Sequence, residues 1–173
     1  MSRNLCRAFL AAGIFAASAG LSAPGRAAPD DAGLTTYRND RHGFTVSYSA
    51  AQFIALPAAT EDARLFVSKD DKARLLVGTL DNTDNKTVAQ YQAFLLRESY
   101  AGANVDYAPI RDKWFVLSGI RNGTAFYQRV SFSCGGRKIN SWALLFHAAE
   151  KATYEPIIEQ VHRSYRVSDR NCG

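Results

Sequence analysis

This chain lacks closely spaced cysteines, clusters of basic residues and, beyond its N-terminal segment, long apolar runs, and each absence argues against a class of protein. The three cysteines lack Cys-x-x-Cys spacing, which is typical of redox-active thiols. The lysines and arginines form no cluster of the kind that binds nucleic acid. Beyond the N-terminal segment, no apolar run reaches the roughly 20 residues that span a bilayer. We therefore predict neither a thiol oxidoreductase, nor a nucleic-acid partner, nor stable membrane insertion.

Catalytic and metal-binding motifs are missing as well. The sequence has no Gly-x-Ser-x-Gly elbow and no Ser-x-x-Lys pair, which mark two classes of hydrolase. Its three histidines, His42, His147 and His162, lack the spacing of the common zinc motifs. We therefore predict no catalytic residue, no metal and no cofactor.

Two segments carry only part of a metal-site pattern. The loop at residues 81–86 is rich in Asp and Asn, but an EF-hand needs Gly and Glu where this chain has Lys86 and Gln92. Glu159 and His162 stand three residues apart, which is more typical of an ordinary pair on a helix surface. Neither segment predicts a bound metal.

The N-terminal segment has the three parts of a secretory signal peptide. Arg3 and Arg7 precede the uncharged run Ala8–Ala19, and small residues follow it. Cleavage fits after Ala19, Ala23 or Ala27, and we favour Ala27 because a polar chain begins there. The protein is thus predicted to be exported.

Cleavage at Ala27 sets the domain organisation. Residues 1–27 are then the signal peptide, and residues 28–173 form one globular α+β domain with a short N-terminal leader that we expect to be mobile. The mature chain carries a net charge of about +2, because three of the 21 basic residues and none of the 16 acidic ones lie in residues 1–27. We predict a soluble periplasmic protein whose oligomeric state is left open.

The cysteines divide between the two parts of the chain. Cys6 lies before the apolar run, so it leaves with the signal peptide and does not occupy a lipid-attachment position. Cys134 and Cys172 remain, and an even pair in an oxidising compartment indicates a disulfide. The alternative is a redox-active thiol, which has no supporting motif.

Periodicity and turn residues predict the elements of the domain. Strands are expected at residues 35–39, 44–48, 64–68, 73–80, 103–110, 112–120, 124–133 and 138–146. A single helical turn capped by Ser49 is expected at residues 49–53. One helix is expected after the N-cap Thr87, ending by Gly102, and another over residues 153–164 with Thr153 as N-cap and Pro156 in its first turn.

Three further details concern the strands. The runs at 64–68 and 73–80 are continuously apolar, so we expect them to be buried on both faces. Val105 and Tyr107 are two residues apart and are expected on the same side of their strand. Asn122-Gly123 and Gly135-Gly136 are turn signals that join the last three strands into an antiparallel meander.

The order of these elements indicates an α+β fold, a central antiparallel sheet with helices on its faces. Together with the strings Gly43–Tyr48, Asp112–Gly119 and Ile157–Arg166, it resembles the small exported proteins related to the PsbP/DcrB-like superfamily, an α/β/α sandwich. The resemblance covers nearly all of Thr35–Val167.

The resemblance implies a fold more than an activity. The superfamily includes a photosystem II extrinsic subunit, a periplasmic lipoprotein linked to phage sensitivity and a Ran-binding factor. None is an enzyme with an agreed active site, so the resemblance carries no catalytic residue to this chain.

One polar feature stands out among the strands. Tyr127, Arg129 and Ser131 share one face of a predicted central strand, and Asn140 is expected beside them. This stripe is either a solvated sheet face, with Arg129 paired to an acid on a covering helix, or the lining of a groove for a partner or an anionic ligand. Tryptophan in such strands is typically part of the core.

These observations favour a non-catalytic periplasmic binding or accessory protein that contacts another envelope component. The alternatives are a hydrolase-like enzyme whose site is assembled from distant residues, and a small-ligand or metal carrier. A deep pocket with acidic or histidine side chains of shifted pKa would favour the enzyme.

Overall fold

The computed structural model describes residues 33–58, 60–169 and 172. The strands are β1 (Leu34–Asn39), β2 (Phe44–Ser49), β3 (Phe53–Ala55), β4 (Ala63–Ser68), β5 (Ala73–Asp81), β6 (Asn104–Tyr107), β7 (Trp114–Arg121), β8 (Thr124–Ser133), β9 (Lys138–His147) and β10 (Arg166–Val167). The helices are α1 (Val88–Glu98) and α2 (Lys151–Ser164), and 3-10 turns span Cys134–Gly136 and Ala148–Glu150. Within these residues, neither α-helix is long and apolar enough to cross a bilayer.

The predicted signal peptide at residues 1–27 lies outside the described residues, as does most of the leader that follows it. The division of the chain into a leader and one domain therefore stays a prediction.

Two antiparallel sheets organise the described part of the chain. The larger has seven strands in the order β3-β4-β5-β9-β8-β7-β6, and the smaller has the order β1-β2-β10. The predicted meander, β7-β8-β9, lies within the larger sheet. Strand β9 is the central strand of that sheet. The α+β fold with an antiparallel sheet and helices is confirmed.

The seven-stranded sheet has a hydrophobic cluster on each face. Side chains alternate across a strand, so Trp142 of β9 joins the cluster that contains Val161 of α2 and Phe44 of β2. Ile139 of the same strand joins the other cluster, which contains Leu95 of α1. The two helices therefore cover opposite faces of the sheet.

Helix α1 begins and ends where the sequence indicates. The Oγ1 of Thr87 accepts a hydrogen bond from the N–H of Gln90 at 3.2 Å, and the Gln90 side chain accepts one from the N–H of Thr87 at 2.9 Å. This reciprocal capping box satisfies donors that the first helical turn leaves free. After the helix, Gly102 adopts a φ of 74°, which favours glycine.

Helix α2 begins earlier than predicted. It starts at Lys151, directly after the 3-10 turn Ala148–Glu150. His147 is the N-cap of that turn, and its Nδ1 accepts a hydrogen bond from the N–H of Ala149. Thr153 is therefore inside the helix and not its N-cap. Pro156 is beyond the first turn, where its missing N–H removes one helical hydrogen bond.

Residues 49–53 do not form the predicted helical turn. Ser49 ends β2, and a turn closed by the N–H of Gln52 and the carbonyl of Ser49, 3.0 Å apart, leads into β3. The Phe53 side chain is buried there, opposite Ser68 of β4. The strand forms because it places an aromatic ring in the core.

The expectation that β4 and β5 are buried on both faces is wrong. Leu76 and Leu80 of β5 are 43% and 48% exposed, while Leu75 and Val77 on the opposite face are buried. Seven strands spaced at about 4.8 Å span roughly 29 Å, whereas one helix is about 10 Å wide. Helix α1 covers the β7–β8 side of that face, so β5 is left without a helix over it.

Val105 and Tyr107 do not share a side of β6 as predicted. Val105 pairs with Gly119 and Tyr107 pairs with Ser118, with a register shift between them. Gly119 and Ser118 are adjacent in β7, so their partners face opposite ways. Val105 packs in the α1 cluster, and Tyr107 points to the α2 side of the sheet.

The predicted disulfide between Cys134 and Cys172 is present and joins residues 38 apart in the chain. The N–H of Cys134 donates to Oδ1 of Asp169 at 2.7 Å, and Arg137 donates to the carbonyl of Cys172 at 3.2 Å. These contacts tie the end of the chain to the turn after β8. A disulfide is consistent with an oxidising compartment.

Candidate functional site

A cleft of about 570 Å³ opens between α2 and strands β6, β7 and β8. We call it the α2 cleft. Ser118, Ile120 and Tyr127 form its floor. Its walls include Asp106 and Tyr107 of β6 and Lys151, Glu155, Ile158 and Glu159 of α2. A concave surface of this size, partly apolar and partly charged, is typical of a binding site.

The rim of the α2 cleft is acidic. Asp106, Glu155 and Glu159 supply carboxylates, and Lys151 is the one cationic side chain among the described lining residues. The Lys151 ammonium lies 3.6 Å from a carboxylate oxygen of Glu155, one helical turn away. The rim therefore carries about two uncompensated negative charges at neutral pH.

Apolar side chains are exposed inside the same cleft. Tyr107 is 53% exposed and Ile120 is 41% exposed. Tyr127 stacks on buried Trp142 with ring centroids 5.2 Å apart, and burial raises the pKa of its phenol. The cleft thus combines an aromatic floor, in which Tyr127 is held by packing on Trp142, with the exposed side chains of Tyr107 and Ile120.

Gly119 lets β6 approach close enough to form one wall of the cleft. A Cβ at this position would lie 2.2 Å from the carbonyl oxygen of Asn104, far inside van der Waals contact. Only glycine fits a backbone approach of this kind. Gly119 and the bulge in β6 together place Tyr107 at the cleft.

Arg129 lies next along β8 on the same face as Tyr127. Its guanidinium carbon lies 4.6 Å from the centroid of the Trp114 ring, and its Nη1 lies 3.0 Å from Nε2 of His162. An arginine has no acceptor, so His162 accepts this hydrogen bond. The described residues place no carboxylate in an ion pair with Arg129.

Burial, together with this contact, favours the neutral form of His162. Burial lowers its pKa from the ordinary 6.5, the positive charge of Arg129 lowers it further, and Glu159 opposes the shift. Arg129 also loses solvation, and burial lowers its pKa, but a guanidinium stays protonated at neutral pH. The pair is therefore one cation and one neutral acceptor.

Asn140 is fully buried and belongs to the core. Its side chain accepts a hydrogen bond from Thr79 Oγ1 at 2.8 Å and donates to Ser133 Oγ at 2.8 Å. It also donates to the carbonyl of Ser131 at 3.3 Å. These bonds hold β5, β8 and β9 together and leave no polar atom of the side chain facing solvent.

The four residues singled out from the sequence therefore have different surroundings. Tyr127 lines the α2 cleft, Arg129 contacts His162 and Trp114 beside it, and Ser131 is half-buried opposite Asn140. Their common face was predicted from alternation along β8, and the strand register agrees with it. Whether they bind a ligand stays a prediction.

Sequence reasoning missed Tyr107 and the α2 glutamates. Tyr107 was expected on the same side as Val105, because the bulge between them has no clear signal in the sequence. Glu155 and Glu159 are four residues apart on one helix face, a spacing visible in the sequence. The spacing places both carboxylates at the cleft only because α2 packs beside β6 and β7.

No family model matches the chain, and no curated protein is significantly similar to it in sequence. Solved structures are similar to it. The solution structure of cyanobacterial PsbP (CyanoP) from Synechocystis sp. PCC 6803 has a TM-score of 0.59 with 17% identity, and the match covers 85% of this chain and 98% of that one. This chain has the Mog1/PsbP-like fold.

Mog1 structures give the same result. The Ran-binding protein Mog1p of Saccharomyces cerevisiae matches with a TM-score of 0.58 and 10% identity, covering 80% of this chain and 97% of that one. A mutant of Mog1 matches with a TM-score of 0.60 and 9% identity, covering 79% and 97%. The resemblance drawn from the sequence is confirmed for the Mog1/PsbP-like fold. At such low identity it shows the fold alone.

Proposed function

We propose that this protein is a non-catalytic binding protein of the periplasm that holds a segment of another envelope protein in the α2 cleft. The observation that carries the proposal is the combination of an acidic rim with exposed apolar side chains in one concave surface. The chemistry of that surface fits a partner segment with Lys or Arg beside an apolar or aromatic residue.

The charges select the partner. Asp106, Glu155 and Glu159 repel acidic segments and attract basic ones, and complementary charge speeds encounter and fixes orientation. The attraction is screened by salt over about 8 Å at physiological ionic strength. Binding should therefore weaken as salt is added.

The apolar groups supply the affinity. Tyr107 and Ile120 expose large apolar surfaces next to Ile158, and burial of such groups is worth about 25 cal/mol per Å². Exposed aromatic anchors in a pocket are typical of the residues that dominate protein interfaces.

Two further observations support a protein partner in an oxidising compartment. The Cys134–Cys172 disulfide is consistent with a periplasmic location. The yeast structural neighbour is named a Ran-binding protein. A protein partner for this chain is proposed by analogy with that name.

Site-specific photo-crosslinking in the producing cell tests the proposal. Benzoylphenylalanine replaces Tyr107 in the cleft and, as the control, Ile54, which is similarly exposed at 51% but lies on β3 outside the cleft. The expected result is a discrete adduct from position 107 and none from position 54. The adduct should be lost when Glu155→Lys and Glu159→Lys are added.

A single charge reversal on another surface completes the test. Glu61→Lys removes an exposed acid that pairs with Arg41 and does not line the cleft. It should leave the adduct from position 107 unchanged. Equal yields from positions 107 and 54, or equal sensitivity to both reversals, would overturn the proposal.

A further inference from the structure

We propose that this protein has a second binding site, for a phosphate ester, at the opposite end of the β7–β8 hairpin from the α2 cleft. A cavity of about 620 Å³ lies there between the first turn of α1, the loop before β7 and the 3-10 turn after β8. Its lining includes four cationic side chains, Lys86, Arg111, Lys113 and Arg137, and we call it the cationic pocket. This site stands independently of the proposed partner segment.

The cations of the pocket are largely uncompensated. Among the described residues, Lys86 pairs with Asp84, whereas Arg111, Lys113 and Arg137 form no ion pair. Arg111 and Arg137 instead donate to backbone carbonyls, at 2.9 and 3.2 Å. The positive charge is thus available to a ligand.

Two carboxylates in the lining do not cancel this charge. Asp169 accepts a hydrogen bond from the backbone N–H of Cys134 at 2.7 Å, so one of its oxygens is already occupied. Asp112 is exposed between Arg111 and Lys113 in the chain. Four cations against two acids leave a net positive pocket.

The walls of the pocket are tied to one another. The buried Asn82 side chain donates to the carbonyls of Lys86 and Gly136, at 2.9 and 2.8 Å, and accepts from the N–H of Lys86 at 3.0 Å. The disulfide and Asp169 hold the 3-10 turn from the other side. The N–H of Phe132 donates to the carbonyl of Lys113 at 2.7 Å, which fixes the loop before β7.

This rigidity favours a ligand site over a loosely solvated surface. A preformed site loses less conformational entropy on binding. The first turn of α1 is capped by Thr87 and Gln90, so the site depends on the four side chains and not on the helix terminus.

The pocket chemistry points to a phosphate ester. Guanidinium groups match the oxygens of phosphate, and an ammonium adds point charge. Val88, Ile110 and Phe132 provide apolar lining, and the volume exceeds that of a bare ion. An esterified phosphate supplies both the charge and a less polar substituent. The same chemistry occurs in soluble phosphate esters and in the headgroups of anionic phospholipids.

The test uses the disulfide-bonded protein with two probes. Glycerol 3-phosphate is titrated while the backbone amide resonances of Val88, Lys113, Gly135 and Gly136 are followed by NMR. Vesicles of phosphatidylglycerol are compared with vesicles of phosphatidylcholine by co-sedimentation. Saturable shifts with glycerol 3-phosphate support a soluble ligand, and retention on phosphatidylglycerol alone supports a lipid headgroup.

Charge reversal identifies the site. Arg111→Glu with Lys113→Glu should weaken whichever binding is found by about tenfold or more, since it removes two cations and introduces two acids. The control pair, Arg38→Glu with Lys69→Glu, makes the same charge change at exposed positions outside the pocket and should leave binding within about twofold.

A single change guards against loss of folding. Lys113→Ala removes an exposed side chain that makes no hydrogen bond or ion pair within the described residues, and the variant should melt like the parent yet bind more weakly. Binding of neither probe, or binding that both double variants weaken equally, would overturn the proposal.

Discussion

Arg129 on β8 donates a hydrogen bond to His162 on α2 across 3.0 Å, and its guanidinium lies over the ring of Trp114. The contact joins the seven-stranded sheet to the helix that forms one wall of the α2 cleft. It resembles the pairing expected for Arg129 with a covering helix, except that the acceptor is an imidazole in place of a carboxylate. That difference makes the contact sensitive to protons at mildly acidic pH, where a carboxylate would stay ionised.

The Arg129–His162 contact predicts that stability falls as pH drops below about 6.5. The unfolded imidazole takes up a proton near its ordinary pKa, whereas the folded one, whose pKa is lowered, does so only at more acidic pH. In between, the unfolded state binds more protons, so the free energy of unfolding rises with pH. Urea denaturation between about pH 5 and 8 measures this slope.

The matched variant is His162→Gln, whose amide oxygen can still accept from Arg129 but does not titrate. Its free energy of unfolding should change less with pH over the same range. All other ionisable groups are common to the two proteins, so the difference between the curves isolates His162. Identical slopes would contradict the prediction.

Gly119→Ala should destabilise the protein by about 1–3 kcal/mol, because the new methyl group overlaps the backbone of Asn104 and β6 must move. Chemical denaturation gives the loss. Ser118→Ala, in the neighbouring position, is the control and should stay within about 0.5 kcal/mol. The Gly119 variant should also lose the crosslink from position 107, since that residue is on the displaced strand.

Loss of the disulfide should cost about 3–4 kcal/mol by the loop-entropy estimate for 38 residues. The variant Cys134→Ser with Cys172→Ser is compared with the parent protein in thermal melts, each with and without reductant. Reductant should lower the melting temperature of the parent to that of the variant and leave the variant unchanged. A parent that is insensitive to complete reduction would contradict the expectation.

Asn140→Ala should destabilise the protein by about 1–3 kcal/mol, because Thr79 and Ser133 would each lose a buried hydrogen-bond partner. Ser131→Ala is the control, since the Ser131 hydroxyl makes no hydrogen bond within the described residues, and its effect should be within about 0.5 kcal/mol. An Asn140 variant that keeps full stability but loses binding would instead support the ligand role predicted from the sequence.

Local chemistry made much of the fold predictable. Asn122 and Gly123 both adopt positive φ, at 51° and 77°, as their turn signal requires. Thr87 caps α1 because a hydroxyl in that position satisfies a free N–H. The same reasoning placed Tyr127 and Arg129 on one face, since alternation along a strand is a property of the backbone.

The features that could not be predicted depend on contacts between segments that are distant in the sequence. Leu76 is apolar and yet exposed, because α1 packs over a different part of the sheet. The residues around Leu76 in the sequence give no sign of this. Asn140 alternates correctly with its neighbours, yet its burial depends on Thr79 from a strand 61 residues away. Glu159 reads as a surface acid until β6 is placed opposite it. The polar stripe on β8 could therefore be predicted from the sequence, whereas the cleft that α2 and β6 form beside it could not.

The small sheet has a consequence for how the chain acquires its structure. Its middle strand, β2, lies between β1, the strand just before it in the chain, and β10, whose Val167 pairs with Phe44. The backbone N–H of Ser47 also donates to Ser164, 117 residues later. Such distant pairings slow folding, because a long loop must close before they form. Because a chain is synthesised from its N-terminus, the small sheet is complete only after β10 has been made and has paired with β2.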